Sequence, residues 1–220
     1  MLTRKLLAEF IGTALLLAAV VGSGIMGVML SPGNTGVALL ANAAATAGAL
    51  YVLIVLFGPV SGAHFNPVVT LAMWLRKDLG GREAAAYVLV QLVAAIVGVL
   101  LAHAMFDLPL LQPGTHVRSG AAQWLSEGVA AFGLLLTILL GLRHRPAAVP
   151  ALVASYIFAA YWFTASTSFA NPAVTLARSL TRTFAGIRPA DVAGFVLAQV
   201  VGALAAVPIA AKLDATAAES

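Results

Sequence analysis

Long apolar runs separated by short polar segments make up most of the chain. Six of these runs reach the ~20 mainly apolar residues that a membrane-spanning helix needs. They cover roughly 6–30, 37–57, 84–106, 122–142, 148–167 and 189–211. The pattern therefore predicts an all-α membrane protein with six transmembrane helices.

Two further apolar runs are too short to cross a membrane, and each begins with an Asn-Pro pair. They extend from Asn66 to Arg76 and from Asn171 to Arg178, which is only about two to three turns at ~3.6 residues per turn. Asn is a strong helix N-cap, and Pro at the first helical position loses no needed N–H. We therefore expect two half-helices, one between spans two and three and the other between spans five and six.

The same order of polar residues occurs twice along the chain. Glu9 and Gln91 flank the first Asn-Pro pair, and Glu127 and Gln199 flank the second. Each copy contains three spans, an odd number, so the second copy must be inserted upside down relative to the first. We interpret the chain as one transmembrane channel domain, 1–220, built from inverted repeats of roughly 1–110 and 120–215. In such folds the solute site lies near the midplane, where broken helices meet.

Non-helical backbone precedes both half-helices. Such backbone is tolerated at membrane depth only when protein buries it or when it lines a water-filled cavity. We therefore expect a ladder of backbone carbonyls along the solute path. Its members are Gly62, Ala63 and His64 in the first repeat and Thr167 and Phe169 in the second.

The half-helices are expected to bring their N-termini together at the pore centre. Each N-terminus carries roughly +0.5 of an elementary charge, which discourages cations and protons. If the side-chain oxygens of Asn66 and Asn171 cap their own helices, both amide NH2 groups remain free to donate to a neutral solute. The pore centre then consists of Asn66, Pro67 and Val68 together with Asn171, Pro172 and Ala173.

Composition supports a membrane protein and gives it an orientation. The chain is 61% hydrophobic and 9% charged, with a formal net charge of +4 and no Cys. The basic residues are scattered at the ends of apolar runs, so nucleic-acid binding is not expected. Eight of them fall on one predicted side, which we assign to the cytoplasm together with both termini. These are Arg4, Lys5, Arg76, Lys77, Arg82, Arg143, Arg145 and Lys212.

Few ionisable side chains lie inside the predicted spans. Glu9 and Glu127 do, and intramembrane carboxylates are usually functional. They could form a proton relay, but we favour a role in which each accepts hydrogen bonds from the backbone of its re-entrant loop. His64 is interpreted as a hydrogen-bonding residue of the lumen, with pH gating as an alternative. No second ligand is spaced near it, so neither a metal site nor a cofactor is expected.

Small and aromatic residues add two further expectations. Six glycines are expected where helices approach closely. They are Gly12, Gly22, Gly48, Gly98, Gly133 and Gly202. The cluster Tyr161, Trp162 and Phe163 near a span end could narrow the pore, but we interpret it as an interfacial aromatic belt.

The doubled Asn-Pro signature, together with the segment Ala8 to Thr13, resembles the aquaporin and glycerol-facilitator family over nearly the whole chain. The resemblance implies six tilted spans, two re-entrant half-helices and one pore per protomer. It also implies a homotetramer in the lipid bilayer, here the plasma membrane (the inner membrane) of a bacterium. The support role of Glu9 and Glu127 is implied as well.

Two positions depart from the family pattern. Val68 stands where the first motif usually has Ala. We expect its larger side chain to narrow the constriction only slightly. Val174 stands where the family usually has Arg after the second motif. Counting back without gaps, the family's outer selectivity filter would map to the following small, uncharged residues: Thr46, Ala159, Ser168 and Val174.

A filter of this kind implies a wide constriction. We expect it to admit water and larger neutral solutes, such as glycerol-like polyols or undissociated metalloid hydroxides such as arsenous acid. Bacterial members that lack the Arg are associated with arsenic handling. Arg178 lies four residues beyond Val174, on nearly the same helix face and ~6 Å further out. It is expected either to guard the outer vestibule or to pair with a loop carbonyl.

Two other classes of function remain as alternatives. An ion- or proton-coupled carrier with the same inverted symmetry would need a titratable or cation-binding site at the midplane, and none is visible in the sequence. An intramembrane enzyme would need a nucleophile with its base. Ser and Thr occur near Asn171, but no His or carboxylate lies in register to activate them. The chain is therefore not expected to be an enzyme.

Overall fold

A computed structural model describes residues 1–216 of the chain, so residues 217–220 of the predicted channel domain lie outside the described part. The described residues form eight α-helices and no strand. These are α1 (Leu2–Leu30), α2 (Thr35–Ser61), α3 (Pro67–Leu75), α4 (Gly81–Met105), α5 (Ala121–His144), α6 (Val149–Phe163), α7 (Pro172–Arg178) and α8 (Val192–Thr216). Short 3₁₀ turns, Pro146–Ala148 and Pro189–Asp191, precede α6 and α8.

Six of these helices are long and apolar enough to cross a membrane, which confirms the predicted spans. The two remaining helices, α3 and α7, are the predicted half-helices. Asn66 caps α3 by accepting from the N–H of Val68 at 3.0 Å, and Pro67 is the first helical residue. Asn171 and Pro172 take the same places at the start of α7.

Packing follows the inverted repeat. In the first repeat α1 packs on α2 and α4, and in the second α5 packs on α6 and α8. Contacts between α2 and α6 join the repeats, while α3 and α7 meet each other and each packs on both α4 and α8. The half-helices therefore lie inside the bundle, where their non-helical approaches are shielded from lipid. The all-α fold with an inverted three-plus-three arrangement is confirmed.

One span is shorter than the pattern predicts. The apolar run 148–167 suggests a helix through Thr167, but α6 ends at Phe163. Beyond it, Thr167, Ser168 and Ala170 have φ values of 62°, 50° and 48°, in the left-handed region that a helix cannot use. The hydropathy pattern does not mark this change, because it averages Thr164, Ser166 and Thr167 with the apolar residues before them.

Some of the glycines expected at close helix contacts do permit close approach, but others do not. A Cβ on Gly98 would collide with the carbonyl oxygen of Ala14, and one on Gly202 with that of Gly128. Gly48 has nothing within 4 Å of its Cβ position among the described residues, so its expected close contact is wrong. Gly48 lies on the exposed face of α2.

We expect Gly98→Ala and Gly202→Ala to destabilise the protein, because backbone carbonyls on α1 and α5 cannot move aside cheaply. Overpacking of this kind typically costs about 1–3 kcal/mol. Thermal unfolding of the purified protein in detergent should report a lower melting temperature for both variants. Gly58→Ala is the matched control, since a Cβ there meets nothing within 4 Å. An equal change in all three variants would contradict the close-contact assignment.

Candidate functional site

The two Asn side chains tie the half-helices together across the centre of the bundle. Asn66 Nδ2 donates to the carbonyl of Ala170 at 2.8 Å, and Asn171 Nδ2 donates to the carbonyl of Phe65 at 2.8 Å. Each Asn therefore bonds to the residue that precedes the other Asn. The expectation that both amide protons stay free needs correction, because one is used in this cross-link and one remains on each nitrogen.

A buried carboxylate holds each re-entrant loop. Glu9 accepts from the backbone N–H groups of His64 and Phe65 at 2.9 and 2.7 Å. Glu127 accepts from those of Phe169 and Ala170, both at 2.9 Å. Both carboxylates are fully buried, and charge-assisted bonds of this kind are stronger than neutral ones. The loops stay ordered although several of their non-Gly residues have positive φ.

Gln and Thr complete the same arrangement in each repeat. Gln91 Nε2 donates to Glu9 at 2.9 Å and to Thr70 Oγ1 at 3.0 Å. Gln199 Nε2 likewise donates to Glu127 and to Thr175 Oγ1. The carboxylates thus connect their loops to α4 and α8. The bonds from Gln to Thr hold the half-helices to the same two helices.

A cavity of about 100 Å³ runs past this junction and is lined by residues from both repeats. Along α6 its lining follows one helix face, with Val149, Val153, Ile157 and Tyr161 at i, i+4 spacing. The half-helices contribute equivalent positions from each repeat. These are Asn66, Val69 and Met73 from α3, and Asn171, Val174 and Arg178 from α7.

Most residues of the predicted pore centre support the cavity rather than line it. Asn66 and Asn171 line it, whereas Pro67, Val68, Pro172 and Ala173 do not. The expectation that Val68 narrows the constriction is wrong, because its side chain is buried in an apolar core cluster and does not line the cavity. The next residue on α3, Val69, faces the cavity instead.

Three of the four predicted filter residues line one part of the cavity. Thr46, Ser168 and Val174 do so, but Ala159 is exposed on the outer surface of α6. Tyr161 occupies the expected place, 3% exposed and with its Oη 3.3 Å from Thr46 Oγ1. Residues two apart on a helix point to nearly opposite sides, so a gap-free count that is wrong by two residues in α6 selects the wrong face.

Tyr161 is the lining residue at the predicted filter that the sequence interpretation places elsewhere. The sequence assigns it to an interfacial belt with Trp162 and Phe163, which are indeed both exposed. The i, i+4 spacing back through Ile157 and Val153 was the signal that could have separated it from its neighbours.

Most residues of the predicted carbonyl ladder line the cavity, but one does not. Gly62, Ala63, His64 and Phe169 line the cavity, whereas Thr167 is partly exposed and does not. His64 Nδ1 lies 3.0 Å from Thr70 Oγ1, and its ring contacts that of Tyr87 in an edge-on arrangement. One ring nitrogen is therefore already engaged within the protein.

Arg178 lines the cavity, and its side chain is held by contacts within the protein. It is 1% exposed, its Nε donates to the carbonyl of Ala185, and its guanidinium carbon lies 3.4 Å from the centroid of the Phe169 ring. The side chain therefore pairs with a loop carbonyl while still lining the cavity. Arg118, which the sequence interpretation did not single out, also approaches the Phe169 ring, at 5.0 Å, and donates to the carbonyls of Gly186 and Ser166.

Six crossing helices and two half-helices, joined at their N-termini beside a cavity, define a membrane channel built from inverted repeats. Comparison with known proteins gives the family. The family model described as Major intrinsic protein matches residues 1–147. Aquaglyceroporin AqpS of Rhizobium meliloti (strain 1021) is 59% identical over 208 residues, which cover 94% of this chain and 89% of that protein. The chain therefore belongs to the major intrinsic protein family.

More distant relatives agree with this assignment. Aquaporin AqpM of Methanothermobacter marburgensis is 31% identical over 163 residues, covering 63% of this chain and 65% of that protein. The X-ray structure of the aquaglyceroporin from Plasmodium falciparum superposes with a TM-score of 0.73 over 97% of this chain and 96% of that one. Because the identity is 19%, this similarity supports the fold alone. The protein is a multi-pass membrane channel of the aquaporin type.

We expect Glu9→Ala and Glu127→Ala to lower stability strongly, because each leaves two buried backbone N–H groups without an acceptor. Each orphaned donor costs about 1–3 kcal/mol. Thermal unfolding in detergent, and the yield of folded protein after purification, should both fall. Glu83→Ala is the control, since its ion pair with Lys5 is partly exposed and such pairs contribute little. Unchanged melting temperatures for Glu9→Ala and Glu127→Ala would show that the carboxylates do not hold the loops.

Proposed function

We propose that each chain forms one passive pore for water and small uncharged solutes. The observation that carries this proposal is the cavity that passes the Asn66 and Asn171 junction with both repeats in its wall. Its lining is mostly apolar with a few polar groups, which suits neutral molecules that need some hydrogen bonds but no charge partner. The ionisable side chains among the described lining residues are His64, Tyr161 and Arg178, and none of them is a carboxylate.

The solutes we propose are water, glycerol-like polyols and undissociated metalloid hydroxides such as arsenous acid. Two observations support the larger ones. The relative that covers most of the chain carries the name aquaglyceroporin, and Val174 lines the cavity at the position where the resemblance expects an Arg. A valine side chain leaves more room there and presents no fixed donor to the solute.

Protons and ions are proposed to be excluded at the junction. The two half-helix N-termini point their partial positive charges toward each other, and the remaining N–H of each Asn amide can orient a passing water oxygen. A water that accepts from both must turn its hydrogens away from the centre, which interrupts a proton-conducting chain. Arg178 adds positive charge to the cavity wall, in keeping with its predicted role as a guard.

A coupled carrier is the less favoured alternative. It would need carboxylates able to bind and release protons or cations during transport. Glu9 and Glu127 are the buried carboxylates nearest the junction, and each already accepts several hydrogen bonds from its loop and its Gln. Protonating either one would weaken the loop it holds, which favours a supporting role over a relay.

The remaining features of the proposal come from the sequence. We expect the protein to act as a homotetramer in a bacterial inner membrane, with both termini in the cytoplasm. The excess of Lys and Arg on the side of the termini supports this orientation. On this assignment α7 and Arg178 belong to the outer half of the pore.

Flux measurements in proteoliposomes test the proposal. Purified protein should raise water, glycerol and arsenous acid permeability several-fold above that of empty vesicles, while a trapped pH-sensitive dye detects no added proton leak. Permeability equal to that of empty vesicles would refute the channel. Conduction of water alone would refute the wide filter, and glycerol uptake that requires a proton or sodium gradient would favour the carrier.

We expect Val174→Arg to narrow the pore, because it places a guanidinium in the wall of the cavity that Thr46 and Tyr161 also line. Glycerol and arsenous acid permeability should fall about ten-fold or more, the lower range of steric discrimination by a pocket. Water permeability should fall less, since water is smaller. Val174→Ala enlarges the same position and should not reduce glycerol flux. Equal glycerol flux through Val174→Arg and wild type would show that this residue does not face the solute.

A further inference from the structure

Two buried polar atoms without a hydrogen-bond partner belong to residues that line the cavity. They are Ser168 Oγ and Arg178 Nη1. The other partnerless atoms of the described residues belong to side chains outside the lining. Buried polar groups normally have partners, so this pair indicates a ligand that residues 1–216 do not supply.

Both of these atoms can donate hydrogen bonds. A guanidinium only donates, and a serine hydroxyl donates or accepts as its partner requires. The guanidinium carbon of Arg178 lies 3.4 Å from the centroid of the ring of Phe169, the residue that follows Ser168. The two donors therefore belong to the same part of the wall, which is lined by α7 and the loop before it and which we call the α7 half. A ligand held there must be a hydrogen-bond acceptor.

The charge of Arg178 is also unpaired. Arg178 is 1% exposed, and the ion pairs formed within residues 1–216 include neither Arg178 nor Arg118. Asp191 is paired with Arg188, and Glu127 already accepts from two N–H groups of the loop before α7. Buried charges are normally paired. A water molecule could satisfy the free N–H, but only an anion also supplies the missing charge.

A second guanidinium adds to the positive charge beside this wall. The guanidinium carbon of Arg118 lies 5.0 Å from the centroid of the same Phe169 ring. Its hydrogen bonds go to backbone carbonyls, which do not neutralise it. Burial, followed by the charges of Arg118 and Arg178, lowers the pKa of His116 in the loop before α5. An anion in the α7 half would offset the repulsion between the two like charges.

The inverted repeat shows that the scaffold does not need these donors. Ser168 stands three residues before Asn171, and Arg178 stands seven residues after it. At the same distances from Asn66 the first repeat has Ala63 and Met73, which also line the cavity. The α3 half, lined by α3 and the loop before it, thus forms the same wall with apolar side chains. The two donors are therefore a property of the α7 half alone.

We propose that the α7 half binds one small monovalent anion, held by Arg178 Nη1 and Ser168 Oγ, and that the bound anion obstructs the passage of neutral solutes. The site itself does not depend on the proposed function, whereas the obstruction rests on it. The whole cavity measures about 100 Å³, which suits an ion of the size of chloride or nitrate. Weakly hydrated anions are favoured, because a mostly apolar cavity cannot replace a full hydration shell.

The anion is expected to stay in the α7 half. Beyond the Asn66 and Asn171 junction the wall offers no cationic side chain, since Met73 takes the place of Arg178 and is accompanied by Ile54 and Val153. An anion moving inward would leave its charge partner for apolar surface, which is costly. Binding without conduction is the result.

Water permeability of proteoliposomes in nitrate and in gluconate tests the proposal. Both are used as sodium salts at equal concentration on both sides of the membrane, so that osmolarity and charge screening stay the same, and gluconate is too bulky for the site. With one site per pore, nitrate should lower the water permeability about two-fold at the concentration that fills half of the sites. The melting temperature in detergent should rise when gluconate is replaced by nitrate, because a ligand of the folded protein stabilises it.

Three variants separate the site from general salt effects. Arg178→Met introduces the residue of the α3 half and should abolish both effects of nitrate. Ser168→Ala keeps the guanidinium and should raise the half-maximal nitrate concentration roughly ten-fold, as expected for loss of one hydrogen bond to a charged group. Arg182→Gln is the matched control, since it removes a positive charge from an exposed residue outside the lining. It should respond to nitrate as the wild type does.

The outcomes distinguish this inference from the proposed function. Water permeability and melting temperature that are the same in nitrate and in gluconate would overturn the anion site, as would equal nitrate effects in wild type, Arg178→Met and Ser168→Ala. A melting-temperature rise that Arg178→Met abolishes, together with unchanged water permeability, would overturn the obstruction. The same rise in a protein that conducts no water in gluconate would support the site and refute the proposed function.

Discussion

The reciprocal hydrogen bonds of Asn66 and Asn171 are the constraint on which the rest of the structure depends. Each amide caps its own half-helix with its oxygen and donates from its nitrogen to the carbonyl that precedes the other Asn. Both short helices are therefore fixed end to end inside the bundle. Neither half-helix could hold this position alone, because two to three turns are marginal as isolated helices.

Fixing the helix ends in this way requires strained backbone, which the buried carboxylates support. Ala63, Phe65, Thr167, Ser168 and Ala170 all have positive φ, a conformation that costs free energy for residues with a Cβ. Glu9 and Glu127 offset that cost with charge-assisted bonds to the loop N–H groups. The repetition of the same network in both repeats indicates that it belongs to the scaffold, independently of which solute passes.

Solute selectivity, by contrast, is proposed to depend on the places where the two repeats differ. The inverted fold gives both halves of the cavity the same helices, loops and caps. Thr46, Tyr161, Ser168 and Arg178 stand where the other half has apolar side chains. The cavity wall contains the hydroxyl groups of Thr46 and Tyr161 and the apolar side chain of Val174, in keeping with the proposed passage of solutes larger than water.

The sequence by itself determined the membrane class, the six spans, the two half-helices and the inverted repeat. These follow from local signals that tertiary packing does not override: apolar runs of bilayer length, Asn-Pro helix starts, and polar residues in a repeated order. It could not determine which side chains face the solute. Hydropathy does not distinguish a buried loop from a buried helix, so it missed the end of α6 at Phe163. Hydropathy also does not give the rotation of α6 about its axis, which decides that Tyr161 and not Ala159 lines the cavity. Only the packed bundle decided this, together with the use of one proton of each Asn amide across the junction, because both depend on contacts between residues about a hundred positions apart.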